Sequence, residues 1–185
     1  MHAHRDVPLK VAVEGVIAGM AGALALSTLV VTGRTLMSAG NKRDGPRDEA
    51  GITAAQALSE GPDVPPNVNQ VTATFVQKLA TGIFGTSLTA DQQYVAGMAW
   101  HLAYGGFWGM CYALLQSSLR APRLVLGPVY GVAVWAVGFA WLVPKMKLIL
   151  PPREQRRRTT ALAVGIHAAY GAIVALVFHV LEDRD

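Results

Sequence analysis

The sequence predicts an all-α integral membrane protein, a four-helix bundle made by tandem duplication of a two-helix unit. Three observations carry this. Of 185 residues, 52% are hydrophobic and only 15% are charged, against about a quarter charged in an ordinary soluble domain. The apolar residues gather in four blocks, 11–31, 94–115, 124–143 and 160–181, whose only formally charged member is Glu14. Features of the first two blocks then return, in order, in the last two.

Each block is about twenty residues long. At about 1.5 Å per residue, a helix of that length crosses a hydrocarbon core of about 30 Å. The first block, preceded by Arg5 and Lys10, also has the outline of a secretory signal. Its apolar run continues past a normal signal core and no small-x-small cleavage site follows, so it is read as a span. A chain of this length is expected to form one domain. Cys111, the sole cysteine, lies in the second block. It has no partner for an intramolecular disulfide and is expected to pack as a small apolar residue.

Between the first two spans lies the only sizeable polar region, 37–93. A short helix is expected around 52–58. After Pro66, the positions Val68, Val71, Phe75, Val76, Leu79 and Ile83 recur at helical spacing. They predict an amphipathic helix over 67–84, on the membrane surface or against the bundle, ended by Gly82 and Gly85. Thr89-Ala-Asp-Gln92 resembles a capping box that opens the second span.

Cytoplasmic loops collect Lys and Arg. With four spans, the termini and the loop between spans two and three share one side, holding Arg5, Lys10, Arg120, Arg123 and Arg184. The other side holds the remaining eleven of the 16 cations, six of them in KMKLILPPREQRRR. The bias predicts both termini outside, with loops 37–93 and 144–159 cytoplasmic. Beside a membrane helix, Arg156-Arg157-Arg158 reads as a topology anchor that attracts anionic lipid, and not as a nucleic-acid patch.

The internal repeat has three parts. Gly15-x-x-x-Gly19 in the first span returns as Gly127-x-x-x-Gly131 in the third. His101-x-x-Tyr104-Gly105 in the second returns as His167-x-x-Tyr170-Gly171 in the fourth. A Pro-Pro pair, Pro65-Pro66 and Pro151-Pro152, precedes each even span. Two spans per unit give a parallel repeat, whereas many transporters invert theirs.

On a helix, residues four apart form a ridge. The ridges here read Gly97, His101, Gly105, Gly109 and Ala163, His167, Gly171, Ala175, His179. Each histidine sits on the smallest-residue stripe of its helix, which should face the bundle interior. Gly15, Gly19, Gly105, Gly109, Gly127, Gly131 and Gly171 are accordingly the expected helix-packing positions. His101 and His167 lie about seven residues into parallel spans, at the same expected depth of roughly 10 Å. With Tyr104 and Tyr170, one turn away and placed to orient them, they form the candidate intramembrane polar site. Glu14 and His179 lie toward the opposite face and form a candidate second pair.

The segment from LGPVYG to HAAYG, with Pro144, Pro151-Pro152 and His167-x-x-Tyr170-Gly171 in order, resembles the C-terminal half of small bacterial inner-membrane proteins of the YagU-like type. The earlier HLAYGGFWGMCYALL is similar to that family's other His-containing span. The resemblance covers roughly residues 10–181. It implies a four-helix membrane protein, with no established activity and no catalytic residue to carry over.

Three functional classes follow. In the first, the His-x-x-Tyr-Gly motifs are packing devices in a structural, accessory or regulatory membrane protein. In the second, Glu14, His179, His101 and His167 form a polar track in an oligomeric proton-linked transporter or channel. In the third, His101 and His167 ligate one b-type haem, with Trp108 against it. The four tryptophans read as packing or interfacial residues before a ligand cage. No phosphate loop, nucleophile elbow, Cys pair or zinc motif is present. No enzyme activity, metal or nucleic-acid partner is expected, and no cofactor outside the haem alternative. The expected partners are the lipid bilayer and either a second copy or a larger membrane complex.

Overall fold

A computed structural model describes residues 8–40, 68–119 and 121–183. Five helices follow one another: α1 (Pro8–Gly40), α2 (Val68–Phe84), α3 (Ala90–Ser118), α4 (Arg123–Trp135) and α5 (Arg157–Glu182). Helix α4 continues through a π-helical segment, Ala136–Leu142, into a last turn, Val143–Lys145. No strand occurs among the described residues. The helix expected around 52–58, and Pro65-Pro66, lie outside them.

Three helical stretches are long and apolar enough to cross a membrane: Leu9–Val30, Arg123–Lys145 and Arg157–Glu182. Helix α3, with 29 residues, is long enough. Its glycines, glutamines, tyrosines and His101 make it less apolar than the others, and it is not among the three.

Small residues point inward and large ones outward. On α1, Val13, Ile17, Met20 and Leu24 are exposed, while Gly15, Ala18, Gly19 and Ala23 are buried. On α4, Leu124, Val125 and Val129 are exposed beside buried Gly127 and Gly131. Water would select the reverse. In lipid, large apolar side chains gain nothing by leaving the tails, and close backbone approach supplies the dispersion that holds helices together.

The helices pack most extensively as α1 on α3 and α4 on α5, and α1 against α5 joins the two pairs. Both pairs close on glycine. A Cβ added at Gly19 would stand 2.1 Å from the Gly105 carbonyl oxygen, and one at Gly109 would stand 2.2 Å from that of Gly15. In the other pair, a Cβ at Gly131 would stand 2.0 Å from the His167 carbonyl oxygen, and one at Gly171 would stand 2.0 Å from that of Gly127. The seams are out of register with the sequence motif. Gly105 faces Gly19 and Ala23, whereas Gly171 faces Gly127 and Gly131. Gly19 and Ala23 therefore hold the places of Gly127 and Gly131, one turn beyond the GxxxG match. Between the pairs, Tyr112, Val174 and Phe178 are fully buried, with Tyr112 edge-on to Phe178 at 6.2 Å.

Helix α2 braces one end of this bundle. It crosses α3 where a Cβ on Gly97 would meet the Ala73 nitrogen at 2.9 Å, and Phe75 packs on Trp100 with ring centroids 4.6 Å apart. Lys78 Nζ donates to the carbonyl oxygens of Met146 (3.1 Å) and Lys147 (3.4 Å), just past α4. Gly85, at φ +63°, ends α2, while Gly82 lies inside it with open space around it. Thr89 and Gln92 cap α3 reciprocally, Thr89 N–H to Gln92 Oε1 at 2.9 Å and Gln92 N–H to Thr89 Oγ1 at 3.3 Å.

Pro144 explains the wide turns before it. It has no N–H for the carbonyl four residues back, and the Val143 N–H instead reaches five residues back to Gly138. After the helix, Leu148 N–H bonds Val143 O and Lys147 N–H bonds Pro144 O, the Schellman pattern that favours glycine at its left-handed position. Lys147 occupies that position with φ 56°. A non-glycine residue there costs about 1 kcal/mol. Lys147→Gly is expected to raise stability by up to about 1 kcal/mol, read as a higher unfolding midpoint in detergent.

Candidate functional site

His101 is the twelfth residue of α3 and His167 the eleventh of α5. The two chains of residues bring them to one cavity of about 160 Å³. It is partly open and lies at the end of the bundle that α2 braces. All five helices contribute to its wall. Among the described residues no Asp, Glu, Lys or Arg lines it.

Each imidazole uses one nitrogen on a backbone carbonyl. His101 Nε2 lies 3.3 Å from Ala23 O on α1. His167 Nδ1 lies 2.8 Å from Ala163 O, one turn back on its own helix. A carbonyl oxygen only accepts, so each of these nitrogens carries the proton. Phe139, in the π-helical part of α4, meets the His167 ring edge-on at 5.0 Å.

The tyrosines do not orient the histidines. Tyr170, buried, donates across the bundle to Gly105 O at 3.0 Å and ties α5 to α3. Tyr104 packs edge-on against Trp108 at 5.9 Å. The Trp108 indole N–H faces its hydroxyl without reaching hydrogen-bond geometry. A Cβ on Gly138 would stand 2.8 Å from the Tyr104 hydroxyl, so the π-helical turn and its glycine make room for that ring. Tyr130, which the motif does not include, donates to Trp108 O at 2.6 Å and ties α4 to α3.

Glu14 and His179 do not pair. Glu14 lies 3.8 Å from Lys10, one turn away. His179 Nδ1 accepts from Arg123 and stands 3.1 Å from Asp183 Oδ2, while Arg123 also pairs with Glu182. Sequence spacing placed both residues toward one face but said nothing of the cations nearer to each. Ala18, Tyr112, Val174 and Phe178 fill the bundle between this cluster and the cavity. Neither Glu14 nor His179 lines the cavity.

Among the described residues no three His, Cys, Asp or Glu side chains gather to hold a metal ion. A cavity of about 150 Å³ accepts one benzene ring. The space here is about 160 Å³, and His101 turns its Nε2 to Ala23 O. The aromatic wall of Phe75, Trp100, Trp108 and Phe139 leaves no mark in the internal repeat, because these residues do not recur in it. Trp100 and Trp108, each four residues from Tyr104 and one and seven from His101, were the signal available.

Residues 50–185 match the family of unknown function DUF6789. The chain belongs to that family. No curated protein and no solved structure matches it. The DUF6789 match takes in α2 to α5, with both histidine motifs and the Pro144 turn, and begins beyond α1.

Proposed function

We propose that this DUF6789 chain is a non-catalytic, four-span protein of a bacterial inner membrane, with a structural or accessory role. In this reading α3 is the fourth span, sheltered by α1, α2 and α5, and the bundle is a parallel duplication of a two-helix unit, of the YagU-like type. Both termini lie outside, and the basic turn after α4 is cytoplasmic. The lipid bilayer is its solvent, and a second copy or a larger membrane complex its partner.

One observation carries the role. Three of the four motif side chains are engaged with backbone carbonyls: His101 on Ala23, His167 on Ala163 and Tyr170 on Gly105. Those of His101 and Tyr170 run between helices, and bonds of that kind hold membrane helices together. A proton track needs continuous polar space, and the packed Tyr112, Val174 and Phe178 stand between the two polar levels.

Reconstitution tests this. Vesicles carrying the protein and an internal pH dye are expected to leak protons no faster than empty vesicles. Tyr170→Phe should lower the stability of the purified bundle by about 1 kcal/mol. Proton flux that disappears on replacing His101 or His167 would instead establish the conducting reading.

A further inference from the structure

Packing accounts for one nitrogen of each imidazole and leaves the other. In a neutral imidazole with one protonated nitrogen, the second is a bare acceptor. His101 therefore keeps Nδ1 and His167 keeps Nε2 as acceptors. Among the described residues neither has a hydrogen-bond partner, and neither is fully enclosed by them. Both rings line the same cavity. We infer that this cavity binds a single lipid-soluble hydroxylated ring, a phenol or quinol, whose hydroxyls donate to His101 and His167.

Each property of the occupant follows from the wall. The volume of about 160 Å³ is that of a cavity holding one six-membered ring. Phe75, Trp100, Trp108 and Phe139 supply flat apolar faces for it. With no charged side chain among the described residues of the wall, a charged ligand would be buried there without a counter-charge, which is strongly unfavourable. Two acceptors select a ligand that brings hydrogen-bond donors. A quinol brings two, on opposite sides of the ring. Its oxidised quinone brings none and would leave both nitrogens unmet. The inference concerns binding alone and goes beyond the structural role, which would stand without it.

The test is equilibrium dialysis of the detergent-purified full chain against three probes: a short-chain alkyl hydroquinone kept reduced, its dimethyl ether, and the corresponding quinone. The hydroquinone is expected to bind at one per chain. The ether and the quinone should bind about tenfold more weakly or worse, because a site built for a hydroxyl rejects the analogue without it. His101→Phe and His167→Phe should each reduce that preference. Equal binding of the three probes would mark the cavity as a site for apolar chains only and overturn the inference, as would no binding of any. The ranking of probes on the unaltered protein decides the matter even where a histidine variant does not fold.

Discussion

Gly131→Leu is expected to leave no stably folded bundle. A Cβ at this position would stand 2.0 Å from the His167 carbonyl oxygen, 2.8 Å from its carbon and 3.0 Å from the Gly171 nitrogen. All three atoms are backbone, so no rotamer change relieves the contact. The α4–α5 seam would have to open along its length, and Gly127 and Gly171 would lose their mutual contact with it. Overpacking a core usually costs about 1–3 kcal/mol. Here rigid helix backbones are the obstacle, and a loss at or above the top of that range is expected. Gly165 is the control. It lies exposed on the same helix pair with nothing within 4 Å of its added Cβ. Gly165→Ala should stabilise α5 by about 0.5–1 kcal/mol, through the better helix propensity of alanine. Unfolding in detergent, followed by circular dichroism, measures both. A Gly131→Leu protein that melts like the parent would show that α4 and α5 do not touch at this seam.

Phe178→Ala should cost about 3 kcal/mol or more. Phe178 is 1% exposed, between Tyr112 and Val174, where the two helix pairs meet. Truncation removes a ring that Tyr112 meets edge-on, and the rigid seams on either side prevent collapse into the space. Phe→Ala in a packed core costs about 3–5 kcal/mol. Leu124→Ala, at a residue 91% exposed, should change the same midpoint by less than about 0.5 kcal/mol. Equal effects at the two positions would mean that the bundle does not close around Phe178.

Much of this architecture was legible in the residues, because glycine spacing and helical periodicity are local properties. The four apolar blocks fall on α1, α3, α4 and α5, and the stripe from Val68 to Ile83 falls on α2. The capping residues Thr89 and Gln92 sit where their spacing put them. Both histidines line one cavity. What spacing could not reach were properties of the assembled bundle. The one-turn offset between the seams depends on how α1 slides along α3. The partner of His101 is the carbonyl of Ala23, a group every residue has and no composition reveals. Arg123 comes to His179 from 56 residues away. The wall of Phe75 and Phe139 depends on α2 folding back and on the π-helical turn, and neither leaves a periodic mark.

That turn has a consequence for how the chain tolerates change in length. In a π-helix, each hydrogen bond spans one residue more than in an α-helix, so Ala136–Leu142 holds more chain per turn than regular helix would. Deleting one residue within it would let α4 return to α-helical winding. The residues on either side would then stay nearly in phase, while Gly138 and Phe139, inside the segment, would shift against Tyr104 and His167. A second deletion between Gly131 and Pro144, with no wide turn left to absorb it, would turn the two sides against each other by about 100°. Along this stretch the cavity depends on the number of residues as well as on their kind, and no point substitution alters that number.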